Sequence, residues 1–362
     1  MASELKSVAA RLRHEVAARR LEFDASQLDA ALALDRLRST LEAAESRWHW
    51  LKLRAARPVR GLYLWGGVGR GKTLLMDWFY DSLQTARRER THFYRFMRQV
   101  HAELRSGSRR ERPLDMVAQR LARQMDVICL DEFFVADIAD AMLLAGLFDG
   151  LFRRGVALVA TSNTPLEELY KDGLQRERFL PAIELIRRHV EVVHLDGGID
   201  YRLRQLAQAP TYLDSSCAQT LRQMQQFFAA LAGDSALGPK TLSIEERGIA
   251  VLAVGGGMAW FDFAELCAGP RSQNDYIELA RLYHTIFISN IPEFTSADDD
   301  AARRFIAAID EFYDRGVKLV VSAAAPPARL YHGERLVPEF ERAASRLVEM
   351  QTQHYLAGQH RP

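Results

Sequence analysis

Three cysteines in 362 residues, Cys129, Cys217 and Cys267, stand far apart and without metal-ligand spacing, which excludes a disulfide framework or a cysteine-based zinc site as the organising feature. Cytosolic thiols are the default expectation. Charge of one sign is also missing: 48 Lys+Arg face 47 Asp+Glu, so no global field drives the chain onto nucleic acid or an acidic membrane. No apolar run reaches the length of a bilayer span, and the first residues lack the apolar centre of a secretion signal. Residues 1–23, rich in Ala and Arg, imitate an organellar transit peptide, but Glu4, Glu15 and Glu22 interrupt the acid-poor face that such a peptide needs. A cytoplasmic protein with an exposed N-terminal helix is expected.

What is present is a large apolar reserve, 48% of residues, enough for a sizeable core in two or more structural units. Leu28, Leu32, Leu34, Leu37 and Leu41 share one face of a helix expected over 28–53, packed beside the central core of the chain. From residue 62 onward, short apolar runs alternate with helical patterns, which predicts an α/β fold with a mainly parallel sheet covered by helices on both faces. Strands are expected at 62–65, 92–96, 127–130, 156–160 and 190–195, with helices at 74–83, 97–104, 117–125 and 138–152. The basic clusters at 87–90 and 109–112 read as solvated helix ends and loops.

Gly66-Gly67-Val68-Gly69-Arg70-Gly71-Lys72-Thr73 is a complete GxxxxGKT phosphate loop, placed between an apolar run and a helix-forming run. Glycines let the backbone curl so that its N–H groups point at phosphate oxygens. Lys72 brings charge to the β and γ phosphates, and the Thr73 hydroxyl offers a ligand to Mg²⁺. Gly66 through Leu74 are therefore the expected nucleotide contacts, with ATP and Mg²⁺ as the implied cofactors. A glycine-rich turn with a surface lysine leaves unexplained why Lys-Thr falls where a strand hands over to a helix.

Val127-Ile128-Cys129-Leu130-Asp131-Glu132 is four apolar residues followed by two acids, a Walker B pattern. Asp131 at the strand tip can hold the magnesium shell, and Glu132 can orient and polarise water for attack on the γ-phosphate. Alone this is a weak signal; downstream of a full phosphate loop it gains weight. Cys129 within the run reads as a small core residue. The strand expected at 156–160 leads to Thr161-Ser162-Asn163, which puts Asn163 where a γ-phosphate sensor belongs, a plain Ser-Asn-Thr-Pro turn being the alternative. An arginine of the segment 173–179 could reach a neighbouring subunit's nucleotide.

The runs RGLYLWGGVGRGKT, HFYRFMRQVH, VICLDEFFVADIADAMLL, LVATSNTPLEELYKDGLQRERFLPAI, RSQNDYIELARLYHT and ARRFIAAIDEFYDRGVKLVVSA, between about Pro58 and Tyr355, resemble the ZapE-like family of bacterial cell-division AAA+ ATPases, related to a mitochondrial ATPase family. The resemblance implies a P-loop NTPase core of AAA+ type, hydrolysis of Mg-ATP, a homo-oligomer with shared active sites, and association with the tubulin-like division protein FtsZ, whose polymers the bacterial members destabilise. It carries Lys72 and Thr73 onto the phosphate loop, Asp131 and Glu132 onto the Walker B pair and Asn163 onto the sensor. Through the segment LYxNGLQRxxF it favours Arg176 over Arg178 as arginine finger, with Asp172 standing where that segment has Asn. Residues 1–50 have no clear counterpart. No transmembrane segment and no nucleic acid are expected, and peripheral membrane association stays compatible.

The expected division is an N-terminal helical segment (1–55), an ATPase core (56–196) and a C-terminal α/β region (197–362). In the last, 201–209 and 215–231 read as helices around a turn at Pro210, and Gly255-Gly256-Gly257 reads as a hairpin turn before a strand at 260–263, because no Lys-Ser/Thr follows it. Laying Asp149–Tyr170 on Asp310–Tyr331 without a gap matches Asp149 with Asp310, Arg154-Gly155-Val156 with Arg315-Gly316-Val317, Leu158-Val159 with Leu319-Val320, Pro165 with Pro326, and Leu169-Tyr170 with Leu330-Tyr331. This predicts a degenerate α/β unit with strands at 285–288 and 317–322, lacking the chemistry: Ala324 stands for Asn163, and Ser289-Asn290 for the acidic pair. Recurrence of one packing solution is the alternative. Arg303 and Arg304 open a helix there, as a second sensor or as a solvated face. Two other functional readings share the core: a DNA-linked, helicase-loader-like ATPase using the loop 109–112, and a nucleotide-gated scaffold without turnover, which makes poor use of Glu132.

Overall fold

The computed structural model describes residues 7–18, 21–51, 59–67, 69–106, 113–135, 137–196, 210–233, 236–358 and 360–361. Val68, the basic loop 109–112 and the helix expected at 201–209 lie outside these residues. The chain divides into two compact units, Met1–Ile199 and Asp200–Pro362.

In the first unit, helices α1 (Val8–Ala17) and α2 (Ala25–Leu51) precede β1 (Gly61–Trp65), α3 (Lys72–Ser82), β2 (Arg88–His92), α4 (Phe93–Ser106), α5 (Pro113–Gln124), β3 (Val127–Asp131), α6 (Ile138–Phe152), β4 (Ala157–Ser162), α7 (Leu180–His189) and β5 (Val190–His194). The strands form one parallel sheet in the order β2-β3-β4-β1-β5. Every residue of β3 and β4 is buried, as central strands covered on both faces require. Side chains alternate between two cores: Leu62, Leu64, Cys129 and Val159 pack with α1, α2 and α3, while Tyr63, Ile128, Leu130 and Leu158 pack on the opposite side with α4 to α7. The N-terminal helices thus share the core of the phosphate-loop helix. Asp35 of α2 fastens α1 by accepting from the Ser7 hydroxyl (2.6 Å) and the Val8 and Ala9 N–H groups.

The strand expected at 92–96 is displaced. It runs Arg88–His92, and Phe93 already begins a helix. Phe93, Phe96, Met97 and Val100 are all buried at helical spacing, a single stripe that an apolar-run reading cuts in two. The charged strand before it is tolerated because its arginines have fixed partners: Arg88 Nη1 donates to Leu83 O at 2.6 Å, and Arg90 reaches acids of the site.

The second unit contains β6 (Tyr212–Asp214), α8 (Thr220–Ala232), the antiparallel pair β7 (Lys240–Ile244) and β8 (Arg247–Val251), β9 (Ala253–Gly255), β10 (Met258–Asp262), α9 (Gln273–Leu282), β11 (Thr285–Ile291), α10 (Asp299–Asp314), β12 (Lys318–Ala323), α11 (Val337–Glu349) and α12 (Gln353–Ala357). Its main sheet has the order β6-β12-β11-β10-β9, parallel except for β9. Gly256 and Gly257, with φ of 57° and 73°, make the β9–β10 hairpin turn. The helix expected at 215–231 starts late, at Thr220. Asp214 turns the chain first, accepting from Ser216 N–H at 2.8 Å, while Thr220 Oγ1 donates to Asp214 O at 2.6 Å.

Four strands of this sheet stand to one another as four of the first do, β6-β12-β11-β10 beside β1-β4-β3-β2. Tyr63 lies opposite Ala160 and donates to Thr164 O at 2.9 Å; Tyr212 lies opposite Val321 and donates to Ala325 O at 2.7 Å. Gly66 N–H donates to Ser162 O, and Ser215 N–H to Ala323 O.

Candidate nucleotide site

Because β3, β4 and β1 are parallel neighbours, their C-terminal ends open on one edge of the sheet, and the chain leaves that edge through the phosphate loop, the acidic pair and Asn163. Gly71 ends the loop with φ of 78°, a left-handed conformation that glycine adopts without the Cβ penalty, and α3 begins at Lys72. A Cβ at Gly71 would sit 3.1 Å from Gln27 Nε2, which donates to Arg70 O at 3.1 Å. Helix α2 therefore touches the loop itself.

Lys72 is buried, and its ammonium donates to Gly66 O (2.7 Å), Gly67 O (2.6 Å) and Asn163 Oδ1 (2.9 Å). The loop lysine and the expected sensor are thus joined directly. Asp131 is buried at the tip of β3 and held from two sides. Thr161 Oγ1 donates to its Oδ1 at 3.1 Å, and Arg90 donates to its Oδ2 through Nη2 (2.7 Å) and Nε (3.1 Å). Arg90 also pairs with Asp77 of α3. Glu132 has φ of 52°, an uncommon conformation for a residue with a Cβ, and its N–H donates to Thr161 Oγ1 at 3.2 Å. One buried hydroxyl thereby sets the positions of both acids.

The oxygens of Thr73 and Asp131 are hard donors of the kind Mg²⁺ takes, so the residues present fit that ion. Close by, burial pushes the His92 imidazole below its ordinary range; the Asp131 charge opposes this, and Arg95 and Arg90 add to it. Burial also holds the Cys129 thiol up at about 12, in keeping with a core role.

Of the other expected residues, Gly66, Gly67, Gly69, Arg70 and Leu74 occupy the loop and the first helical turn, Leu74 packing against the core shared with α1 and α2. Arg176 sits on the short 3₁₀ turn Arg176–Arg178 and donates to Glu167 O at 2.6 Å within its own chain. Arg304 donates to Cys267 O at 2.5 Å and Ala268 O at 3.4 Å, closing the end of the turn 264–268. Three residues of the site escaped the sequence reading: Arg90, Thr161 and Gln27. A charged residue in a strand next to the acidic one was the available sign for Arg90. Thr161 was visible only as a strand cap, and nothing in linear spacing pointed from Gln27 to a loop 43 residues away.

The AFG1-like ATPase family matches residues 6–359. The chain is 52% identical over 303 residues to the cell division protein ZapE of Escherichia coli strain K12, covering 84% of this chain and 81% of that protein. It is 37% identical over 344 residues to the lactation elevated protein 1 homolog B of Danio rerio, covering 82% and 68%. Solved structures similar in fold include DnaI (TM-score 0.36, 15% identity, 48% of this chain and 87% of that one) and AMPPCP-bound DnaA from Aquifex aeolicus (TM-score 0.36, 13% identity, 52% of each).

Proposed function

The chain belongs to the AFG1-like ATPase family, and from this we propose that it is a cytoplasmic AAA+ ATPase of bacterial cell division that hydrolyses Mg-ATP and uses the cycle to destabilise FtsZ polymers. The observation that carries the reading is the joining of Lys72, Asn163, Thr161 and the Asp131-Glu132 pair at one sheet edge. In this reading the loop N–H groups and Lys72 bind the phosphates, and Thr73 and Asp131 would hold Mg²⁺, which would supply positive charge against the phosphates. Glu132 takes the proton side of the attacking water, and Asn163 aims it. Arg176, half-buried on its turn, meets the transition-state charge from an adjacent protomer of a homo-oligomer once it leaves the Glu167 carbonyl.

The second unit is, in the same reading, a degenerate copy that takes no nucleotide. Support comes from the matched strand order and hydrogen bonds, and from Asp214-Ser215-Ser216 standing where the first unit starts its glycine loop. One nucleotide per chain is expected.

The test uses Glu132→Gln, which should still bind ATP but hydrolyse it about a hundredfold more slowly or worse. Sedimentation of FtsZ polymers with the intact protein and ATP should show polymer loss, and Glu132→Gln should not cause it. Normal hydrolysis by Glu132→Gln would overturn the catalytic assignment. Undiminished FtsZ pellets beside an active ATPase would overturn the partner alone.

A further inference from the structure

We propose that Arg90 is a positioning residue for Asp131, neutralising and orienting its carboxylate so that a divalent cation enters the site only together with the nucleotide. The inference rests on the reading of Asp131 as the metal-holding side chain. Arg90 lies on β2, Asp131 at the tip of the neighbouring β3, and Asp77 on α3 one turn beyond Thr73. A single guanidinium therefore ties the phosphate-loop helix to the Walker B strand, with two nitrogens on Asp131 Oδ2 and a third on Asp77. The Asp131 side chain is only 6% exposed, and a carboxylate so far from water is costly to bury without a partner. Thr161 gives it a hydrogen bond; Arg90 gives it the opposing charge. Delocalised planar geometry is what allows one side chain to serve both acids, which the point charge of a lysine does less well.

Removal of the guanidinium leaves two carboxylates on separate rigid elements around the space it filled. They then form an oxygen-donor pair of uncompensated charge, which attracts a divalent cation without any nucleotide. If Arg90 only clamps the two elements, its loss lets the acids move apart, with lost stability and no such gain.

The experiment titrates Mn²⁺ into the full-length protein without nucleotide and follows free Mn²⁺ by electron paramagnetic resonance. Arg90→Ala should bind Mn²⁺ about tenfold more tightly than the wild type, Arg90→Lys should gain less, and Arg90→Ala combined with Asp131→Asn should lose the gain. Should Arg90→Ala fail to fold, Arg90→Gln, which keeps a donor but no charge, takes its place with the same expectation. A folded variant with no increase in Mn²⁺ affinity overturns the role of Arg90. Asp131→Asn separates the two levels: if it hydrolyses ATP normally, the reading of Asp131 fails, whereas an inactive Asp131→Asn beside an Arg90→Ala protein of unchanged Mn²⁺ affinity removes only the inference about Arg90.

Discussion

Thr161→Val keeps the shape of a buried side chain and deletes the one hydroxyl on which both acids depend. That hydroxyl donates to Asp131 Oδ1 at 3.1 Å and accepts from Glu132 N–H at 3.2 Å, so the valine leaves a carboxylate oxygen and a backbone donor without their partner. A hydrogen bond to a charged group contributes about 1.5–3 kcal/mol, and a stranded N–H costs about 1–3 kcal/mol; with Arg90 still on Oδ2, the total comes to about 3 kcal/mol. Thr161→Ser loses a methyl group and should cost about 1 kcal/mol. Urea unfolding followed by circular dichroism and fitted with one transition per unit measures the difference. Turnover at saturating ATP should fall on the order of a hundredfold for valine and little for serine, because the acids lose their aim. Ser322 is the control: its hydroxyl accepts from Asn290 N–H at 3.0 Å, in the same place of the second sheet, with no charged partner among the described residues. Ser322→Ala should cost about 1 kcal/mol and leave turnover alone. If Thr161→Val matches Thr161→Ser in both stability and turnover, the hydroxyl does not organise the site.

The His92 pKa is lowered in the folded protein, so between that value and the ordinary 6.5 the unfolded chain binds more protons; the contribution to stability is full above 6.5 and is lost as pH falls through that window. His92→Gln should therefore lose less stability than the wild type between about pH 7 and about pH 5.5 in urea titrations, and equal slopes would remove His92 as the cause. Thiol labelling of the native protein should modify the exposed Cys217 quickly, whereas Cys129 and Cys267, buried and held at about 12, should react only on unfolding. Fast labelling of either buried thiol without loss of structure would contradict the packing of β3 or of the turn 264–268.

The parts of the fold legible in the sequence were those in which burial is complete and local. The runs of β1, β3 and β4 are apolar because both faces are covered, and α6 is recovered over Ile138–Phe152, the span expected. Legibility failed where a long-range partner decides the structure. Strand β2 carries Arg88, Glu89 and Arg90, which no apolar pattern would place in a sheet, yet carbonyls of α3 and its end and the acids Asp77 and Asp131 hold its arginines. Strand β6 is three residues long and exists through its pairing with β12. In the site, the residues fixed by spacing were visible and those fixed by folding were not. The phosphate loop and the acidic pair announce themselves in linear order, but Arg90, Thr161 and Gln27 act through contacts made only when strands and helices assemble.

The two sheets also separate what architecture requires from what the proposed chemistry requires. Glu132 and Asn290 both take a left-handed backbone, φ of 52° and 63°, and both donate their N–H to a hydroxyl on the next strand, Thr161 or Ser322. The Arg-Gly turn recurs as well, with Gly155 and Gly316 at φ of 83° and 65°. Since these features persist where Asn290 stands in place of the acid, the bend after the strand cannot by itself be read as stored catalytic strain; it belongs to the way such a sheet edge is built. Charge is what differs. At the first edge a lysine and an arginine face the carbonyls and carboxylates of the site, whereas at the second, Asn290 Nδ2 donates to Asp262 Oδ2 at 2.6 Å and Asp214 accepts from a backbone N–H. Those contacts engage acceptors at the second edge where the first engages a lysine and an arginine. The proposed loss of nucleotide binding in the second unit therefore needs no change of fold, only the replacement of cations and glycines at the ends of three strands.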